Sequence, residues 1–303
     1  MAMRLKQKHN KPDVVSVLTG ALLCVYVIGL FAPIIWAVMT SLTEIGSYDK
    51  FYLFQEYPKG QFPFTFTFDN FAIAWNNLTI TAGNTLIEYN MLGLYIHSLQ
   101  FALYSAISFT FCSAMVSYLT AKFDFRFSGV VYAFVILAMS LPIVGSMPSE
   151  IRMLQNLGIY GQWISVPILR FNFLSVYYLV LHATFRGISK EYSEAAKIDG
   201  ASNFKIMLRI VMPQALNIIV TVFVLTFITY WNDYQVPMIY MPDYPVAAYG
   251  IYQFMRIPQD GGLTSNMAVQ MAGTILMIIP ILVVVIAFNK RLRVSVSIGG
   301  VKG

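Results

Sequence analysis

The sequence predicts an all-α integral membrane protein with six transmembrane helices. Three observations lead there: the composition, the length of the charge-free stretches, and the placement of the basic residues. Of the 303 residues, 57% are hydrophobic and 11% charged, against roughly 25% charged in soluble domains. Val14 to Thr43, Tyr89 to Ala121 and Gly261 to Asn289 contain no Asp, Glu, Lys or Arg, and each exceeds the roughly 20 apolar residues that cross a bilayer. Phe127 to Ser149 and Ile210 to Asn232 just reach that length.

These runs place helices near 14–40, 91–120, 129–149, 166–186, 214–240 and 266–289. The first follows a basic leader, residues 1–13, but its apolar run is too long for a cleaved signal, so it reads as a retained anchor. The fourth is the weakest by length. Its charge-free core from Phe171 to Phe185 would rise only about 22 Å, short of roughly 30 Å of hydrocarbon. Including the preceding ISVPIL supplies the missing length and puts Arg170 at the membrane edge or inside the bundle. Pro33, Pro142, Pro148, Pro237 and Pro280 fall within or at the ends of these spans. Each removes a backbone donor, either around a cavity or simply in a bent packing helix. Cys24 and Cys112 lie in apolar spans, where the ordinary role is that of a small buried residue.

Six spans put both termini on one side, and the basic residues say which. Arg4, Lys6, Lys8 and Lys11 precede the first span. Lys122 and Arg126 follow the second, Arg186, Lys190, Lys197, Lys205 and Arg209 lie between the fourth and fifth, and Lys290, Arg291, Arg293 and Lys302 end the chain. Only Lys50, Lys59, Arg152, Arg170 and Arg256 are left for the other side. The positive-inside rule then makes both termini cytoplasmic. The domain plan is a leader at 1–13, a six-helix domain at 14–289 with outer loops at 43–88 and 241–265 and an inner loop at 187–213, and a tail at 290–303.

The outer loop contains FPFTFTFDNFAIAWNN, Phe62 to Asn77. Phe62, Phe64, Phe66 and Phe68 would share one face of an extended segment. Asp69 or Asn70 could cap a short helix after it. Aromatic faces suit sugar rings and also simple interfacial anchoring.

The inner loop carries the most polar run, EYSEAAKIDGASNFKIMLRIVMPQ, residues 191–214. It reads as two short helices. Ser189 caps the first, Glu191 and Glu194 suit its positive N-terminal end, and Gly200 stops it in a left-handed turn. Ser202 caps the second and Pro213 closes it. Tyr192, Ala195 and Ala196 are expected on one face, where small alanines admit another surface. A helix-turn-helix that reads DNA would need a supporting third helix, for which a loop tied between two spans has no room, so no nucleic-acid partner is expected. A solvated loop whose charges only set topology stays open on composition alone.

The stretch EAAKIDGASNFKIMLRIVMP resembles the cytoplasmic signature of bacterial binding-protein-dependent ABC importer permeases: EAA, three residues, G, nine residues, I, one residue, LP. Glu194, Ala195, Ala196, Gly200, Ile210 and Pro213 fall on that spacing, and Met212 replaces the usual Leu, a change close in volume. DNF at Asp69 to Phe71, LP at Leu141 and Pro142, NLG at Asn156 to Gly158, WND at Trp231 to Asp233 and the ending IGGVKG from Ile298 resemble the carbohydrate, maltose-type branch.

The resemblance implies a type I ABC importer permease fold in a bacterial cytoplasmic membrane. It implies partners as well: a second homologous permease, an ATPase dimer and an extracytoplasmic solute-binding protein that delivers a sugar, all working in membrane lipid. It places ATPase coupling at Glu194, Ala195, Ala196, Asp199, Gly200, Ile210 and Pro213, with a further ATPase contact from Gly300, Lys302 and Gly303. No GxxxxGK[ST] phosphate loop occurs in the chain, so ATP and Mg are expected on the partner ATPase and neither cofactor nor metal on this chain. Arg170, His182, Asn232 and Asp233 lie in or beside spans and are candidates for a substrate path, since intramembrane polar groups are functional by default, and Tyr177, Tyr230 and Trp231 join them as aromatic faces for sugar rings.

Three other readings were weighed: a non-sugar solute, an ion-driven secondary transporter and a membrane enzyme. The second needs a mid-span carboxylate, but Asp233 lies near a span end. The third lacks any catalytic motif such as HExxH or GxSxG.

Overall fold

The computed structural model describes residues 14–45, 66–77, 79–83, 87–141, 145–256 and 266–298. They group into two compact units. One is drawn from Met1–Ala74 and Pro258–Leu276, the other from Trp75–Ile257 and Met277–Gly303.

In the first unit the long helix α1 (Val14–Ser41) ends in a polar knot. Its last carbonyls have no partner within the helix, and the side chain of Asn70, 1% exposed, donates to the carbonyls of Ser41 and Thr43 at 2.8 Å each. Thr43 also pairs antiparallel with Phe66. The short helix α2 (Asp69–Asn77) forms as expected. Asn70 serves the end of α1, however, and the hydroxyl of Thr67 accepts from the Asp69 amide at 3.1 Å. Phe62 and Phe64 lie outside the described residues, while Phe66 and Phe68 are exposed.

The second unit opens with a two-stranded antiparallel pair, β1 (Ile80–Thr81) and β2 (Glu88–Tyr89). Its axis is α3 (Met91–Lys122), begun by Asn90, whose side chain accepts from the Gly93 amide. Around α3 stand α4 (Ser128–Ser140), α5 (Met147–Asn156), α6 (Ser165–Arg170), α7 (Val176–Gly187), α8 (Glu191–Ile198) and α9 (Asn203–Ile206). A π-helical turn at Met207–Val211 leads into α10 (Met212–Trp231), followed by α11 (Gln235–Tyr240) and α12 (Ala247–Phe254). The final helix, α13 (Met267–Ile298), takes residues from both units.

α3 packs most extensively on α10 and α7. Small buried residues permit the close approach: Ala102, Ser105, Ala106, Ser113, Ala114 and Ser117 are each at most 5% exposed. In a membrane such residues let helix backbones meet without a hydrophobic driving force between them.

Among the described residues, four helices are long and apolar enough to cross a membrane: Val14–Ser41, Met91–Lys122, Asn203–Trp231 and Met267–Phe288. The third and fourth expected spans differ. The first of these is helical over Ser128–Ser140 and again from Met147, where α5 begins, while residues 142–144 lie outside the described set. The helix expected at 166–186 is two helices, α6 and α7, separated by a non-helical stretch at 171–175. The break is held by polar groups that lie far away in sequence. Ser108 and Ser113 on α3 donate to the carbonyls of Pro167 at 2.6 Å and Asn172 at 3.5 Å, while Asn172 accepts from the Leu174 amide through its own side chain. Non-helical backbone at membrane depth persists only when protein satisfies it in this way.

The fifth expected span, 214–240, begins earlier and stops at Trp231, and Gln235–Tyr240 forms a separate short helix. Helicity also continues past 289 to Ile298, so the first part of the expected tail is helix.

Candidate functional site

The stretch after α7 folds as two helices about a left-handed glycine. The hydroxyl of Ser189 accepts from the Glu191 amide at 3.2 Å as α8 begins. At the other end Gly200 has φ +79°. The Gly200 amide donates to Lys197 at 3.0 Å and the Ala201 amide to Ala196 at 2.9 Å. Together these two bonds form the Schellman pattern that satisfies terminal carbonyls of a helix. Ser202 then starts α9 by accepting from the Lys205 amide at 3.3 Å.

One expectation about this stretch is corrected. Pro213 does not close the second helix. It sits at the start of α10, directly after the π turn, and Met212 donates to Met207 across that turn. A π turn absorbs the register change that a proline's missing amide demands, so α9 runs on into α10 as one span.

A second difference concerns the faces of α8. Ala196 is 9% exposed and belongs to a core cluster with Tyr118, Leu181, Phe185, Ile206, Met207, Val211 and Ala215. Ala195 and Tyr192 face outward, so the three residues do not share a face. The core cluster seats the stretch rigidly on the ends of α3, α7 and α10. What it leaves outside is apolar: Tyr192, Ile198 and Phe204 are 57%, 87% and 67% exposed around Gly200. Ile198 and Phe204 were missed in the sequence because hydrophobic residues inside a helical pattern read as core. Glu194 and Asp199 are exposed, Ile210 is half-buried and Pro213 exposed. The tail residues Gly300, Lys302 and Gly303 lie outside the described residues.

At the break, Arg170 ends α6 and its guanidinium meets the carboxylate of Asp233 at 3.0 Å, both side chains about one-fifth exposed, 23% and 21%. The other Asp233 oxygen accepts from the Val236 amide at 3.1 Å. The guanidinium also lies 4.8 Å from the centre of the Tyr230 ring. Tyr230 and Tyr177 both stand edge-on to Phe109, at 6.5 and 5.9 Å. Arg170, Tyr177, Tyr230 and Asp233 thus converge, and the Nε of Arg170 is buried without a hydrogen-bond partner among the described residues. The node offers an unmet donor, a charge pair and two aromatic faces.

The remaining candidates go elsewhere. Trp231 packs on Phe227 and stacks with Tyr95, and Asn232 returns a bond to the Ile228 carbonyl. His182 lies in the middle of α7, packed between Tyr132 and Tyr178.

With this geometry in place, likeness to known proteins is informative. The chain is 25% identical over 292 residues to the melibiose/raffinose/stachyose import permease protein of Bacillus subtilis, covering 96% of each. It is 24% identical over 294 residues to the diacetylchitobiose uptake system permease protein of Streptomyces coelicolor, covering 94% of this chain and 88% of that one. Against the trehalose transport system permease protein of Mycobacterium tuberculosis it is 27% identical over 213 residues, covering 69% and 76%. Among solved structures it shares the fold of a chain from a bacterial ABC transporter involved in the import of the acidic polysaccharide alginate, with TM-score 0.74, 17% identity and coverage of 94% of this chain and 99% of that one. Residues 113–297 match the family described as binding-protein-dependent transport system inner membrane component. That match takes in the last third of α3, the broken helix, the Gly200 turn and the helices that follow, and on it this multi-pass membrane protein belongs to that family.

Proposed function

We propose that this chain is the permease subunit of an ATP-driven importer that moves a sugar or oligosaccharide delivered by an extracytoplasmic binding protein. The observation that carries the reading is the rigidly seated turn at Gly200, with its outward-facing apolar residues, inside a chain of this family. A loop that only set topology would have no reason to anchor Ala196, Ile206 and Val211 in a core while presenting Ile198 and Phe204 to water.

In this reading the chain crosses a bacterial cytoplasmic membrane six times with both termini inside, the third and fourth crossings being made by α4 with the segment after it and by the broken α6–α7 pair. The inner loop, 187–213, couples to an ATPase dimer through Glu194, Ala195, Ala196, Asp199, Gly200, Ile210 and Pro213, and Tyr192, Ile198 and Phe204 add the apolar contact. The tail residues Gly300, Lys302 and Gly303 touch the same ATPase. ATP and Mg bind there, and this chain holds no cofactor. A second homologous permease completes the pathway.

The sugar assignment rests on the relatives, whose names specify melibiose, raffinose, stachyose, diacetylchitobiose and trehalose. The node of Arg170, Tyr177, Tyr230 and Asp233 suits such a solute, because hydroxyls need paired donors and acceptors and sugar rings lie on aromatic faces. His182, Trp231 and Asn232 leave the substrate path in this reading.

Co-purification from a native membrane tests it. We expect a second permease, an ATPase and ATP hydrolysis stimulated by sugar with a binding protein. A chain that transports alone, or with an ion gradient and no ATPase, would overturn the proposal.

A further inference from the structure

At the end of the second unit that carries the Gly200 turn, a cavity of about 460 Å³ lies between the last turn of α3, the turn after it, the start of α4 and the end of α7. Small-ligand sites run roughly 300–1,000 Å³, so it is large enough for more than water. Its charge is one-sided: Lys122, Arg186 and Lys190 line it against the single carboxylate of Asp124.

The commitments of these groups differ. Lys190 pairs with Asp124 at 3.1 Å, but both side chains are well exposed, 61% and 91%, and such a pair neutralises little. Lys122 donates to the carbonyl of Ile188. Arg186 has no ion pair among the described residues. Its fork of donors matches phosphate geometry better than any other side chain. His182, which the transport path does not use, is 8% exposed in the same wall and fixed 4.9 Å from the Tyr132 ring.

We propose that this cavity binds a phosphate anion and that its source is the headgroup of an anionic phospholipid. The lipid source follows from what adjoins the cavity. Tyr132 lines the cavity, and Ile136 and Met139 continue its face of α4; the three are 38%, 45% and 45% exposed. Their spacing makes one apolar stripe along the helix, running from the cavity wall toward the end of α4, where acyl chains can lie. Basic pockets between transmembrane helices at the headgroup level hold anionic lipid for the same electrostatic reason. With the orientation proposed above, the leaflet is the cytoplasmic one. The inference concerns lipid retention, not coupling, so its failure leaves the transport reading untouched.

The test uses the purified complex in nanodiscs of equal phosphatidylglycerol and phosphatidylcholine, with retained lipid read by native mass spectrometry. We expect preferential retention of phosphatidylglycerol. Arg186→Gln should reduce that preference roughly fivefold, the weight of one surface cation. Arg126→Gln, in the turn between α3 and α4 but outside the cavity lining, should leave it within about twofold. Equal losses in both variants would overturn the site, and no preference in the wild type would overturn the lipid source. A second arm adds millimolar inorganic phosphate to phosphatidylcholine nanodiscs at matched ionic strength and follows thermal unfolding. Stabilisation by phosphate that Arg186→Gln abolishes, without any lipid preference, would overturn the lipid source and assign the cavity to free phosphate.

Discussion

The turn at Gly200 and the break at 171–175 both interrupt helical geometry, and the chain resolves the second with partners that the first does not need. At the turn every bond is local: Gly200 to Lys197, Ala201 to Ala196 and Lys205 to Ser202. At the break, Ser108 and Ser113 reach carbonyls 59 residues further along the chain, and Asp233 pairs with Arg170 across 63 residues. Water can satisfy a backbone group that faces solvent, so a surface turn needs only neighbours to shape it. In a bilayer no water stands in, and an irregular stretch needs partners from the protein itself. Local devices can be read from the sequence; delivered partners cannot.

The contrast can be broken at either end. The largest effect is expected at the break. Asp233→Leu leaves Arg170 charged with no acceptor and should cost about 2–3 kcal/mol, below the 3–5 of a fully buried pair because both side chains are one-fifth exposed. Thermal unfolding of the purified complex reads it, and adding Arg170→Leu should restore most of the loss. A double variant no better than the single would show that the pair does more than neutralise itself.

Gly200→Val comes next. A β-branched side chain at φ +79° costs roughly 1–2 kcal/mol, while nothing lies within 4 Å of the added Cβ. The strain therefore acts on the turn and not on the fold: transport should fall about tenfold with membrane insertion unchanged. Full transport in this variant would remove the coupling role from the turn.

Ser202→Ala deletes a single cap and should cost about 1 kcal/mol, seen as faster amide exchange confined to α9. Protection lost across α10 as well would mean the π turn depends on that cap. The smallest effect belongs to Ser117→Ala. This removes one interhelical bond to the Tyr178 carbonyl at 3.0 Å and should cost about 0.6 kcal/mol. A loss several times larger would place Ser117 in the same cooperative network as the break.

Much of the fold follows directly from residue patterns. The spans at 14–40 and 91–120 match Val14–Ser41 and Met91–Lys122 closely, since long charge-free runs have only one stable state in lipid. The Gly200 turn and the Ser202 cap were legible for the same kind of reason, because each depends on residues within a few positions. Pro213 was misread because a proline signals a missing amide but not whether the chain stops or takes a π turn. The two-sidedness of α8 was hidden too: Ala195 and Ala196 are identical in sequence, and only the packing of Tyr118, Leu181 and Phe185 makes one core and the other surface.

The candidate node divides similarly. Polarity marked Arg170, His182, Asn232 and Asp233, and aromatic faces marked Tyr177, Tyr230 and Trp231, yet four of the seven meet and three do not, because each sits at its own rotation and position along its helix. The sequence by itself determined that the chain lives in a membrane, where most of its spans lie, and that a capped glycine turn separates two short helices. Tertiary structure alone decided that the fourth segment breaks, that Arg170 pairs with Asp233, and that Arg186 opens into a basic cavity. Hydrophobic run length and local capping are properties of neighbouring residues, whereas those three outcomes depend on which distant helix supplies the missing partner.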